Sequence, residues 1–153
     1  MARRSRTSSS RGGRRDSKLD LLGNISLLAG CTKGELRRIA SLADEIDVPK
    51  GKVLTRQGEP GRECFVIVNG TATASMRGRR SSPMGPGSFF GEISLLDGGP
   101  RSATVTAETD MRLLVLTSQG FSSLVRETPT VASRVMRALA GRLRDAERPR
   151  PEL

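Results

Sequence analysis

At 153 residues the chain has room for one domain around one core and little room for a second. His, Trp and Tyr are absent and only four Phe occur. That composition excludes histidine as a base or metal ligand, leaves core packing to aliphatic residues, and argues against an aromatic platform for single-stranded nucleic acid.

The net charge of +10 suggests a polyanionic partner until its distribution is read. Residues 1–18 carry seven basic residues against the single acid Asp16, leaving 19 basic and 15 acidic groups for the rest. Residues 1–16 (MARRSRTSSSRGGRRD) are too poor in apolar groups to offset their ordering entropy and are expected to form a disordered basic arm. The arm reads first as a solvated tail, and second as a salt-dependent, nonspecific contact for nucleic acid or a site for phosphorylation at Ser5 or Thr7–Ser10. No apolar run reaches membrane-spanning length and no apolar segment follows the Arg3-Arg4 pair, so the expected setting is cytoplasmic, without a membrane partner. Cys31 and Cys64 lack metal-site spacing and read as reduced, packed residues.

The domain proper is expected over residues 17–148, with a disordered tail at 149–153. Leu19, Leu22 and Ile25 open in helical spacing. Thr32 then stands three residues before Glu35, a capping box leading into Leu36, Ile39, Ala40 and Ala43. After Val48-Pro49 the pattern turns to short strands: Val53–Arg56, Cys64–Val68, Thr71–Met76, Ala103–Ala107 and Met111–Leu116. Asn69-Gly70 between apolar runs predicts a hairpin. Strands this short and evenly punctuated predict a small barrel or jelly roll rather than a βαβ sheet. Ser118–Val125 reads as a short helix, and Pro129 opens a longer one with the stripe Val131, Val135, Leu139 and Leu143. The fold class is therefore α+β: a β-roll flanked by N-terminal helices and a long C-terminal helix, with a short helix inserted in the roll.

That inserted segment carries the chemistry. In Gly87-Ser-Phe-Phe-Gly91-Glu92-Ile-Ser-Leu-Leu-Asp-Gly-Gly-Pro-Arg101-Ser-Ala-Thr-Val105, Gly91 permits close backbone approach and Glu92–Leu96 allows one helical turn with unpaired N–H groups at its start. Arg101 follows a rigid Pro at the mouth of the next strand. A guanidinium fork suits a phosphate, and a neighbouring carboxylate suits a sugar hydroxyl. Together they describe a site for a sugar phosphate of low charge.

Gly-Glu-Ile-Ser-Leu-Leu…Pro-Arg-Ser-Ala-Thr-Val resembles the phosphate-binding cassette of the cyclic nucleotide-binding domain family, which includes catabolite-activator-type regulators, protein kinase A regulatory subunits and cyclic-nucleotide-gated channels. The resemblance runs from Leu19 to Arg144, with further matches at Pro49-Lys-Gly-Lys-Val-Leu, Gln57-Gly-Glu-Pro-Gly and Phe65-Val-Ile-Val-Asn-Gly. It implies that Glu92 bonds the ribose 2′-hydroxyl and Arg101 the cyclic phosphate. Gly91, the backbone of Ile93 and Ser94, and Ser102 and Ala103 would complete the cradle. It places Val66, Thr73 and Leu95 facing or beneath the pocket, and makes Met136, Leu139 and Arg142 candidates for a lid over the base. Ser102 after the arginine favours cAMP over cGMP. No metal, cofactor or catalytic constellation is implied. Only nine residues follow Arg144, fewer than a helix-turn-helix needs, so the expectation is a stand-alone receptor. It would signal to a separate, unidentified protein, as a monomer or a dimer through the C-terminal helix. The alternative from another class is a scaffold that keeps the fold without the ligand and acts through its surface and arm.

Overall fold

The computed structural model describes residues 3–4, 19–20 and 22–147. The expected capping box forms: Thr32 Oγ1 accepts from the Glu35 backbone at 3.1 Å and Glu35 Oε1 accepts from the Thr32 backbone at 2.8 Å. It starts helix α1 (Lys33–Leu42), which buries Leu36 and Ile39. Ala43, expected to continue this helix, instead begins strand β2 (Ala43–Val48). Ala43, Ile46 and Val48 are its buried residues, a spacing without clean alternation. Pairing with β9 (Met111–Thr117) from Ala43↔Leu116 to Val48↔Met111 decides the strand.

The remaining strands are β3 (Val53–Thr55), β4 (Glu63–Asn69), β5 (Ala72–Met76), β6 (Arg79–Arg80), β7 (Phe89–Phe90) and β8 (Thr104–Ala107). With β1 (Arg3–Arg4) they form two antiparallel sheets, ordered β1-β2-β9-β4-β7 and β3-β8-β5-β6. Asn69-Gly70 is not the turn of a paired hairpin, because β4 and β5 lie in different sheets. It is a corner between layers. Gly70 has φ +92, and a Cβ there would come within 2.8 Å of Met111 Cγ, so only glycine fits the crossing.

Of the expected disordered arm over residues 1–16, the structure describes Arg3 and Arg4, which pair with Asp47 and Ile46 on the edge of β2. An open sheet edge offers unpaired backbone groups, which a second extended segment satisfies. The rest of the arm and the tail at 149–153 lie outside the described residues.

Strands β4 and β9 are buried on both faces, and the alternation of side chains sorts them into two cores. Cys64, Val66, Val68, Leu114 and Leu116 face a helical cluster that includes Leu36, Ile39, Phe121, Leu124, Val131 and Val135. Phe65, Ile67, Leu113 and Val115 face the interior of the roll with Ile46, Phe90, Val105 and Met111. The register matches like with like, Cys64↔Leu116 on one side and Phe65↔Val115 on the other.

Thr117 Oγ1 accepts from the Gly120 backbone at 3.0 Å and caps helix α3 (Ser118–Glu127). The short inserted helix preceding it in sequence is α2 (Glu92–Asp97), and Pro129 opens the long helix α4 (Pro129–Glu147). The α4 stripe is buried only in its first half: Val131 and Val135 are in the core, Leu139 is partly buried and Leu143 is 62% exposed. No helix among the described residues is long and apolar enough to cross a membrane.

Leu113 is fully buried at the centre of the roll. Leu113→Ala is expected to lower the unfolding free energy by about 2–5 kcal/mol in urea titrations. A loss under about 1 kcal/mol would contradict its place in the core.

Candidate ligand-binding site

The strand rhythm breaks at Gly91, which has φ +86 and ends β7. A side chain there would be strained and crowded as well, because a Cβ would lie 2.7 Å from Arg101 Nη1 and 3.0 Å from the Glu63 carbonyl. Glu92 begins α2, and Gly98, also left-handed, closes it by donating to the Ser94 carbonyl at 3.0 Å. Asp97 then accepts from the Gly99 backbone at 2.8 Å, turning the chain through Pro100 towards Arg101.

Arg101 is held by its backbone and by its side chain. Its N–H donates to the Glu59 carbonyl at 2.8 Å, and its carbonyl accepts from Gly58 at 2.9 Å. The guanidinium, on a residue 8% exposed, donates from Nη1 to the Gly91 carbonyl at 2.9 Å. Its Cζ stands 6.0 Å from the centre of the Phe65 ring, which in turn stacks on Phe90 at 4.9 Å and 16°. Burial draws the Arg101 pKa below its usual value, against the opposing pull of Cys64, Glu63 and Glu92.

Glu92 is 1% exposed. One carboxylate oxygen, Oε1, is paired with Arg142 from α4, and the other, Oε2, is buried without a hydrogen-bond partner. Arg142 also donates to the Phe89 carbonyl, and its Cζ lies 4.5 Å from the centre of the Phe89 ring. Beside this contact runs a groove of about 310 Å3, lined among others by Ser26, Gly87, Ser88, Phe89, Arg134 and Arg142. Cys64 lies buried next to these charges, and desolvation, reinforced by Glu92, pushes its thiol up to about 12.

The fold therefore brings Gly91, Glu92 and Arg101 together with Arg142. Ser94 is buried, whereas Ile93 is 40% exposed. Ser102 and Ala103 are half-buried on the approach to β8, and the Ala103 carbonyl accepts from Thr55 Oγ1 at 2.9 Å. Of the lid candidates, Arg142 reaches the site, Leu139 packs against the helical core and Met136 is 66% exposed. Val66 and Leu95 join the helical core, and Thr73 bonds Glu108. Sequence reasoning assigned no role to Gly61, Phe65 or Phe89. Gly61 and Phe65 contact Arg101, and Phe89 contacts Arg142; the motifs that contain them do not reveal those contacts.

Two outcomes follow from this arrangement. Because Cys64 is raised from 9.0 to about 12, the unfolded chain loses that proton first as pH rises. Its contribution to stability is complete below pH 9 and declines towards pH 12, by at most about 1.4 kcal/mol per pH unit. Subtracting the pH–stability curve of Cys64→Ala from that of the wild type should isolate this slope. In Arg142→Ala, Glu92 loses its cation, and stability should fall by about 1–3 kcal/mol, a figure tempered by the 40% exposure of the Arg142 side chain. Adding Glu92→Gln should recover part of that loss in denaturant titrations.

Known proteins share both the sequence pattern and the architecture. Over 130 residues the chain is 28% identical to a CRP-like cAMP-activated global transcriptional regulator of Mycobacterium tuberculosis, covering 82% of this chain and 58% of the regulator. It is 45% identical over 85 residues to a cyclic nucleotide-gated potassium channel of Mesorhizobium japonicum, covering 56% of this chain and 23% of the channel. The crystal structure of Thermus thermophilus catabolite activator protein superposes with a TM-score of 0.69 at 33% identity, over 79% of this chain and 59% of that one. The chain thus spans a little over half the length of the two regulators. The sequence profile of the cyclic nucleotide-binding domain matches residues 45–128, from within β2 to just past the end of α3. The chain belongs to the cyclic nucleotide-binding domain family.

Proposed function

We propose that the chain is a receptor for a 3′,5′-cyclic nucleotide, cAMP in preference to cGMP, and that occupancy shifts the position of α4. The observation that carries this reading is a buried carboxylate oxygen without a partner, Glu92 Oε2, directly after the carbonyl that holds a buried guanidinium. A lone pair kept from water is costly unless something donates to it. A ribose 2′-hydroxyl supplies that donor, and the cyclic phosphate supplies two oxygens for the Arg101 fork. Backbone N–H groups of Ile93 and Ser94, in the first turn of α2, have no partners within the helix and complete the cradle with Ser102 and Ala103. The base preference rests on Ser102, and on the cAMP-activated regulator among the relatives.

Movement of α4 is supported by the shared partner. Arg142 holds Oε1 of the carboxylate whose Oε2 the ribose addresses, so occupancy changes the surroundings of the bond that ties the helix to the site. A ligand shifts a helix only if it binds one position better than another, and a second donor on the carboxylate that holds Arg142 provides that difference. Leu143 and Met136, exposed on the same helix, offer the surface through which a dimer or a downstream protein would sense the shift.

One observation favours the scaffold reading: Glu92 already has an arginine partner, as a purely structural buried pair would. Calorimetric titration separates the two. Wild type should bind cAMP more tightly than cGMP, and Arg101→Ala should lose about 100-fold or more in affinity while keeping its fold. Amide exchange in residues 139–147 should change on cAMP addition. No binding of either nucleotide at millimolar concentration would retire the receptor in favour of the scaffold, and binding with unchanged exchange would retire the helix shift alone.

A further inference from the structure

Two glycines bracket the turn that holds Arg101, and they are glycine for different reasons. Gly58 has φ +87, and a Cβ there would meet nothing within 4 Å, so its requirement is conformational. Gly61 has no such φ, and its backbone is open to any L residue. What Gly61 lacks is space. A Cβ at this position would lie inside van der Waals contact of Nε, Cζ and Cδ of Arg101, at 2.6 Å from Cδ.

We infer that Gly61 is a positioning residue for the phosphate-binding charge: its missing side chain is the slot in which the Arg101 guanidinium lies. The inference rests on the proposed role of Arg101 and extends it to the residue that aims it. The slot has several walls. Gly61 lies against the inner part of the side chain, the Phe65 ring faces Cζ, and Gly91 supplies both the carbonyl acceptor and a second gap beside Nη1. The same turn fixes the arginine backbone through Glu59 and Gly58, so the arginine cannot retreat as a unit when the slot is filled. A methyl group at 61 must therefore turn the guanidinium itself, far enough to carry Cδ from 2.6 Å out to the 3.4 Å at which ordinary contact begins. Where function depends on the placement of charged groups, as in enzyme active sites, a misplacement of about 1 Å can cost about 100-fold.

The turn is partly exposed, so a methyl group there adds no core packing problem. Gly85→Ala serves as control, since Gly85 has neither a positive φ nor any neighbour within 4 Å of an added Cβ.

The probes are cAMP and the two diastereomers of its cyclic phosphorothioate, in which sulfur replaces one or the other exocyclic phosphate oxygen. A fixed guanidinium distinguishes these diastereomers, and a displaced one does so less. Wild type and Gly85→Ala should bind cAMP alike and prefer one diastereomer. Gly61→Ala should bind cAMP about 10- to 100-fold more weakly, with its diastereomer preference reduced towards unity. Gly61→Val should weaken binding further, and the melting temperature of Gly61→Ala should match wild type within a few degrees. Unchanged affinity, or weakened affinity with the diastereomer preference intact, would overturn the inference. Should wild type bind none of the three probes, the fault lies with the receptor reading rather than with Gly61.

Discussion

A guanidinium removed from water has to be given partners, and much of this structure is arranged around that requirement at Arg101. It is 8% exposed, and burial alone draws its pKa down. The fold answers with one carbonyl, one aromatic face, and the nearby negative charge of Glu63 and Glu92. None of these satisfies all five N–H donors of the fork. A largely buried cation beside a buried carboxylate oxygen with a lone pair to spare is a poor way to stabilise a protein and a good way to recognise a small anion bearing a hydroxyl.

The two charges belong to different mechanical units. Arg101 is fastened to the roll through the turn at residues 58–61, whereas Glu92 starts a six-residue helix and is tied to α4 by Arg142. The pair is thus anchored in the roll at Arg101 and linked to the long helix through the Glu92–Arg142 bond. The exposed second half of α4, with Leu143 outside the core, is the less firmly packed part of that helix and the part nearest the ion pair. Local stability is lowest where few apolar contacts are buried, and elements that move are drawn from such regions.

The roll supplies the rigidity this arrangement needs. Strands β4 and β9 are buried on both faces, one side against the helices and the other inside the roll. Cys64 and Phe65, adjacent in β4, therefore point into different cores, the thiol lying close to the charges and the ring stacking on Phe90. Phe65 thus connects the roll interior with the face of Arg101, and the site inherits its geometry from a packed core rather than from a loop.

What the sequence by itself determined was local. The capping box at Thr32–Glu35, Pro129 at the head of α4, the short strands between turn residues, and the Gly91-Glu92…Pro100-Arg101 spacing each depend on neighbours along the chain, and each was legible. What only tertiary structure decided was remote. Pairing with β9 made Ala43–Val48 a strand, the sheet order turned Asn69-Gly70 from a hairpin into a corner, and the sheet edge took up Arg3–Arg4. At the site, Glu92 and Arg101 could be named from spacing, but that Arg142 rather than Met136 reaches Glu92 was decided by which residues of α4 the tertiary structure places against it. Gly61 was legible as part of a turn and of a family match but not in its role, because the side chain that forbids a methyl group there arrives from 40 residues further along the chain. Periodicity and spacing record the constraints a residue shares with its neighbours in sequence, and steric exclusion or charge pairing across a fold leaves no such record.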